Sequence, residues 1–514
     1  MRNLLRISVM LACICSPAFA AEPVMYFVSV TGADDAALDG KTTATAWRSL
    51  AFACDRVDVS EAVIQLGAGT FVADRTARPK SGVTIAGQRD VARQKSADKD
   101  SAKSPVTRIV AAKDWKLAEK ITDMGPDDEY LIDLKRVKGV TIRDLVLSSD
   151  PEHRITGAIH VRDGENVVLE DLVVRDFRWN GLALEHSHHL TVQRCLIENA
   201  SIDKLHHHGG LIRTRWIKNS ELHHNQLMAT QGHGYGYKGG GHEGVRLHHN
   251  TIRVVSEFAI ESAHENEYGL EIAHNVLNRC VSVPKGGQGD DPNKRGFEYS
   301  VWIHDNLMTD SYGVEGPRSH LRLSRNYIRC EKTGGRIYTH HGGTNHGPVW
   351  IHHNVIENVD RAFVWMNEGL AENISVFNNT VTFADAGERA GAVLDAYTGE
   401  RLNGWVVKNN VFIAPASQPR RLMPTERGVP QKITASHNLC IHITGAPAGN
   451  HLDTPPGFRL EGDKPWPFYV PATANSFVIG RGTDVGFPFK GQAPTLGAFN
   501  FGDVQPGAAK DVSK

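Results

Sequence analysis

Between residues 160 and 395 the chain carries side chains that together could handle an anionic sugar polymer. Arg213 and Lys238 could neutralise carboxylates, and Tyr338 and Trp365 could stack on sugar rings. Glu185, Glu261 and Glu315 could move protons or, for the first two, hold a cation. Histidine is also abundant. His223, His224, His248, His249, His274, His304, His352, His353 and His437 invite a metal-array reading, but they recur just before successive corner residues of a repeat and no compact set of mixed ligands accompanies them. Stacking from unit to unit is the simpler account. The run His206-His207-His208, ahead of Gly209-Gly210, and the segment His340-His341-Gly-Gly-Thr-Asn-His346 fall instead in loops suited to ligand contact.

The elements that must position these residues come from a repeat: apolar, any, apolar, two polar residues, Asn, any, apolar, as in Val245-Arg-Leu-His-His-Asn250-Thr-Ile252. Asn225, Asn275, Asn306, Asn326, Asn354, Asn379, Asn410 and Asn438 fit the same frame, and three earlier units replace the Asn with Leu145, Leu172 and Cys195. From Leu145 to Asn438 the steps run from 20 to 31 residues with a mean of about 27. Period-two alternation within each unit predicts short strands, and the irregular step predicts loops of variable length between them. Asn tolerates the left-handed bend of a sharp corner, so the Asn residues are expected at such corners, stacked in a column and bonded amide to amide.

On this frame the sequence resembles the right-handed parallel β-helix proteins of the pectate-lyase-like superfamily, over about residues 24–445. The resemblance implies an all-β fold of about twelve or more three-strand coils, with an Asn ladder at the second corner. Residues 25–71 read as strand, amphipathic helix and strand, and the resemblance makes that helix an N-terminal cap. After Cys440 the ladder is expected to cease, and residues 446–514 read as a C-terminal capping segment of the 21–445 β-helix rather than a separate domain.

In the resembled fold, substrate lies along the first strands of successive coils. Taking Ile159, Leu184, Ile212, Tyr237, Ile260, Val283, Val314, Ile337, Val364 and Leu394 as inward-facing, the next residue in each strand faces outward. The expected outward column is His160, Glu185, Arg213, Lys238, Glu261, Pro284, Glu315, Tyr338, Trp365 and Asp395, with Arg162, Arg215, His340 and Asn367 two positions further along.

The resemblance points to a polysaccharide lyase acting on a uronic-acid-containing glycan. Gly234-Tyr-Gly-Tyr-Lys238-Gly-Gly-Gly241 is similar to the surroundings of the base in some pectate lyases, which makes Lys238 the candidate base and Arg213 the neutraliser or proton donor. Tyr338 and His340 form a competing acid and base pair. Arg215, Glu315, Trp365, His208 and Asn367 are candidate substrate contacts. Some relatives use calcium, for which Glu185 and Glu261 are the candidate ligands, although the Asp-Asp cluster of calcium-dependent pectate lyases is missing. Two alternatives stand beside the lyase: an inverting glycoside hydrolase using Glu261 and Glu315, and a non-catalytic glycan binder.

Composition narrows the partners. The 514 residues carry a formal charge of −1, against the basic surface that nucleic acid requires. Arg2 and Arg6, the apolar run Ile7–Cys15, and Ala18 and Ala20 at signal-peptidase spacing predict a signal peptide over residues 1–20, cleaved near Ala20, and a secreted or periplasmic protein. No later apolar run approaches membrane-spanning length. Cys54, Cys195, Cys280, Cys330 and Cys440 are scattered and read mostly as buried packing residues, with at most one or two bridges. The expectation is a monomer acting on an anionic polysaccharide or oligosaccharide, without a nucleic-acid partner.

Overall fold

The computed structural model describes residues 22–503 except 90–104, 119–123, 127–128, 201–208, 231–234, 257, 263–264, 284–290, 312, 317–319, 330–335, 340–347, 367–372, 386–390, 397–403, 425–432, 461–467 and 501. The signal-peptide region lies outside this set, as do Pro284, His208, His340, Asn367 and Cys330.

Short alternating segments cannot bury both faces alone, and they do so here by winding into a parallel β-helix. Among the described residues the first strands of the coils form a sheet of 11 strands, and the second and third strands form sheets of 15 each. One coil illustrates the path: Gly210–Arg215, then Lys218–His223, then Gln226–Met228, before Tyr235–Gly239 begins the next. Inward residues stack in register, so that Leu222, Leu247, Ile272 and Ile303 lie one above another, each nearly or wholly buried.

The Asn column is continuous. Each side-chain amide from Asn225 to Asn438 donates to the carboxamide oxygen of the next ladder Asn at 2.8–3.1 Å, and also to a backbone carbonyl such as Leu247 O from Asn275. Each amide oxygen in turn accepts a backbone N–H of the preceding corner, as Asn275 does from Asn250. Two expectations are corrected. The column runs past Cys440 to Asn450, which accepts from Asn438 at 2.8 Å. The left-handed bend falls one residue before the ladder Asn, at His224, His249, His274, Asp305, Arg325, His353, Asn378, Asn409 and His437, with φ between 53° and 61°. The ladder Asn is thereby free to aim its amide inward, and its neighbour takes the positive φ that His, Asp and Asn tolerate best.

The helix is Leu50–Arg56, started by Ser49, whose hydroxyl accepts the Phe52 N–H at 3.2 Å. It buries Leu50, Ala51, Ala53 and Cys54 in the same core as the first coils. At the other end, the short strand His451–Leu452 pairs with Leu439–Ile441. The chain then returns along the outside of the third-strand sheet, where Asn378 and Asn409 donate to Thr495 O and Thr483 O and the Tyr469 hydroxyl donates to Glu357. Cys54, Cys195, Cys280 and Cys440 are buried. Among the described residues no helix is long and apolar enough to cross a membrane.

Replacing Asn275 strips partners from two neighbouring coils at once. Asn275→Ala should lower unfolding stability by about 2 to 4 kcal/mol, since buried donors on Asn250 lose their acceptor. Denaturant titration followed by far-ultraviolet circular dichroism measures it.

Candidate active site

Parallel pairing of the first strands fixes which outward side chains are neighbours. The column runs Asp133, His160, Ala183, Arg213, Lys238, Glu261, Ser282, Glu315, Tyr338, Trp365, Asp395. Two expected members are displaced. Ala183 stands where Glu185 was expected, with Glu185 two residues further along between Arg162 and Arg215, and Ser282 stands in place of Pro284. A two-residue slip preserves the face, so alternation alone does not reveal it.

Arg213, Lys238 and Glu261 occupy successive strands and are consecutive register partners. All three are nearly buried, at 8%, 4% and 4% exposure, which strengthens their mutual electrostatics. The Lys238 ammonium donates to Glu261 Oε2 and lies 4.2 Å from the centre of the Tyr235 ring. Glu315 and Tyr338 follow in the column, and Tyr338 joins Tyr235, Phe258 and Cys280 in an apolar patch against which Trp365 packs. Tyr235 and Phe258 were not anticipated in the site. Alternation puts Tyr235 on the same face as the inward Tyr237, but Gly236 breaks the pattern, because a Cβ there would lie 2.2 Å from Ile252.

A second group lies at the N-terminal end of the column. His160 Nε2 is 3.0 Å from Glu185 Oε1, with Arg162 Nε 3.6 Å from the same oxygen, and His160 Nδ1 is 3.8 Å from Asp133. Burial alone would raise the Glu185 carboxyl, but the His160 bond and the His160 and Arg162 charges outweigh it and hold it below its ordinary value. Arg215 lies over Trp216 at 4.0 Å and 3.8 Å from Glu265.

The two carboxylates expected to hold calcium do not converge. Glu185 is committed to His160 and Arg162, Glu261 to Lys238, and the two strands between theirs carry Arg213 and Lys238. That set does not fit an ion that takes about six to eight oxygen ligands. His274, His304 and Asp305 bring ligand atoms within 4.8 Å of one another, but Asp305 is held by Arg325 at 2.7 Å and His304 by Glu271 at 3.1 Å.

The other histidines stack. His223 lies on His248 at 5.0 Å and 7°, His224 on His249 at 4.9 Å and 5°, and His249 on His274 at 4.9 Å. Burial, then the charge of neighbouring cations and imidazoles, pushes His248 down to about 4, and burial with Arg325 does the same to His353. His223, His249, His274 and His352 are lowered as well. His304 runs the other way: burial lowers it, but the Asp305 and Glu271 bonds prevail and raise it.

For His248 and His353 the unfolded chain binds protons near the ordinary value of 6.5 while the folded chain resists until about 4. Their stabilisation is therefore complete above pH 6.5 and lost as pH falls toward 4. Stability should decline over this window, and His248→Asn should make the slope shallower by up to about 1.4 kcal/mol per pH unit. Denaturant melts at stepped pH test this.

No curated protein sequence matches the chain. Among solved structures it is similar to the A-module of mannuronan C-5 epimerase AlgE6 from Azotobacter vinelandii, at 12% identity and a TM-score of 0.40, covering 67% of this chain and 94% of that one. It is similar at 12% identity to the family 28 exopolygalacturonase of Yersinia enterocolitica, with a TM-score of 0.38 and coverage of 84% and 77%. DFA-IIIase from Arthrobacter chlorophenolicus A6, without its lid, gives 12%, 0.40, 80% and 98% on the same measures. Likeness at this level carries no chemistry over to this chain. Residues 131–306 match the family model described as the right handed beta helix region, and with its three stacked sheets the chain folds as a right-handed parallel β-helix.

Proposed function

We propose that this protein is a polysaccharide lyase that cleaves a uronic-acid-containing glycan by β-elimination on the outer face of the first-strand sheet. The observation that carries this reading is the row Arg213, Lys238, Glu261, in which a guanidinium, an amine and a carboxylate occupy adjacent strands in a nearly buried setting. Elimination needs one group to neutralise the uronate carboxylate, one to take the proton beside it, and one to protonate the departing glycosidic oxygen.

The row can supply all three in a closed proton cycle. Arg213 binds the substrate carboxylate and stabilises the charge that develops when the adjacent C–H breaks. Lys238 first passes its proton along the existing bond to Glu261, a shift favoured when substrate displaces water and both charges lose solvation. The neutral amine then takes the carbon-bound proton, the electron pair forms the C=C bond, and the C–O bond breaks. Protonated Glu261 gives its proton to the leaving oxygen, which restores the starting ammonium and carboxylate.

Trp365 and Tyr338, further along the column, offer ring faces to flanking sugars, and Glu315 and Arg215 offer polar contacts. His208, His340 and Asn367 extend this contact set in the reading. A signal peptide over residues 1–20 would deliver the enzyme outside the cytoplasm to such polymers.

Incubation with alginate, pectate, chondroitin and heparan should give products with a new ultraviolet-absorbing double bond. Lys238→Ala should lower turnover by about 10²- to 10⁴-fold while retaining the fold, and Tyr338→Phe should retain turnover. Reducing ends without unsaturation would move the chemistry to hydrolysis by Glu261 and Glu315, and no cleavage of any glycan would indicate a binder. Loss of turnover in Tyr338→Phe with survival in Lys238→Ala would place the centre further along the coil.

A further inference from the structure

Behind the row, inside the coil, lies a polar network without solvent contact. His242 is fully buried between Glu267 and two hydroxyls. Its Nδ1 lies 2.8 Å from Glu267 Oε2, and its Nε2 lies 2.9 Å from both Thr214 Oγ1 and Tyr237 Oη. Thr214 donates to Tyr237 at 2.7 Å. Glu267 also accepts the His242 backbone N–H at 2.9 Å and the Ser262 hydroxyl. Burying an ionisable pair and three hydroxyls in an aliphatic core is costly unless every group is bonded, and the apolar residues that fill the other coils would avoid that cost.

The placement suggests why the network is there. Thr214 follows Arg213, Tyr237 precedes Lys238, and Ser262 follows Glu261. Each residue of the outward row therefore has an immediate chain neighbour tied into one inward network that spans three strands. Gly239 makes the approach possible, because a Cβ there would lie 2.1 Å from Thr214 Oγ1 and 2.7 Å from the His242 ring.

We propose that His242 and Glu267 are positioning residues, which through Thr214, Tyr237 and Ser262 lock the three strands so that Arg213, Lys238 and Glu261 keep their working geometry. This rests on the reading that glycan chemistry occurs on that row. Packing alone would hold the strands at their common spacing, whereas directional bonds to a shared His–Glu pair fix their relative tilt and slide. Reacting groups are sensitive to such shifts, and a misplacement of about 1 Å costs on the order of 10²-fold in rate.

The test uses Glu267→Gln, which keeps shape but turns an acceptor of three donors into a mixed donor and acceptor. Turnover should fall by about 10- to 100-fold with KM changed less than about threefold, and a crystal structure should show Lys238 moved from Glu261 by about 1 Å. Asn275→Ala serves as the control for simple destabilisation: it should lower the melting temperature yet keep its turnover well below that temperature. Wild-type turnover in Glu267→Gln, or a loss matched by its unfolded fraction, overturns the proposal. Should that variant not fold, Tyr237→Phe and Ser262→Ala remove single hydroxyls, and unchanged turnover in both overturns it equally. A wild type that cleaves no glycan refutes the lyase reading separately. The crystal comparison then decides the positioning role, an unmoved Lys238–Glu261 pair in Glu267→Gln counting against it and a displaced pair in its favour.

Discussion

Everything in this protein depends on register between coils. Parallel strands can slide by two residues without changing which face is buried, so apolar stacking alone leaves that degree of freedom open. The buried Asn column removes it, because each carboxamide accepts from the backbone of one coil and donates to the next, and a slip would orphan several buried groups at once. The outward column inherits this precision. Arg213 meets Lys238, and Lys238 meets Glu261, in the register that the whole coil shares, and the ladder is one of the devices that keep it.

The molecule places ionisable groups in three distinct settings. On the outer face of the first-strand sheet they pair with each other across strands, as Lys238 does with Glu261 and Glu185 with Arg162. At the ladder corner histidines stack on one another, positive φ favours histidine one residue before the ladder Asn, and burial holds His248 and His353 well below their ordinary value. In the core they form one bonded His–Glu unit beneath the outward row. One backbone path of three strands and two corners thus offers nearly buried, partly exposed and fully dry positions at a regular pitch, and charge is tolerated in each for a different reason.

The coil and its ladder were legible in the sequence because they repeat: a corner asparagine flanked by alternating apolar residues, met many times, leaves few other folds. Facing was legible too, since Arg213, Lys238, Glu261, Glu315 and Tyr338 all lie where alternation puts them. Register at Glu185 and Pro284 was not, because loops of unequal length precede those strands and parity survives a two-residue error. The assignment of the bend to Asn itself failed for a similar reason: neighbouring residues recur with the same period, so the repeat cannot say which of them carries the unusual φ. His242 and Glu267 sit at corners, outside the alternation, and nothing in their spacing distinguishes them from solvated polar residues.

The returning C-terminal segment alters how the coil can come apart. A bare solenoid unravels from either end one coil at a time, since ladder partners stand only 20 to 31 residues apart over most of its length. Here Tyr469 and Ala498 bond to Glu357 and Thr380 across separations of 112 and 118 residues, and Phe487 stacks on His352 at 4.3 Å. These are closures of long loops, slow to form and made late relative to the local coils. Once made, they fasten the C-terminal segment across the later coils of the helix, so fraying from that end must first release this strap. The resistance of that end to unwinding is then set by a detachment rate rather than by the stability of its outermost coil.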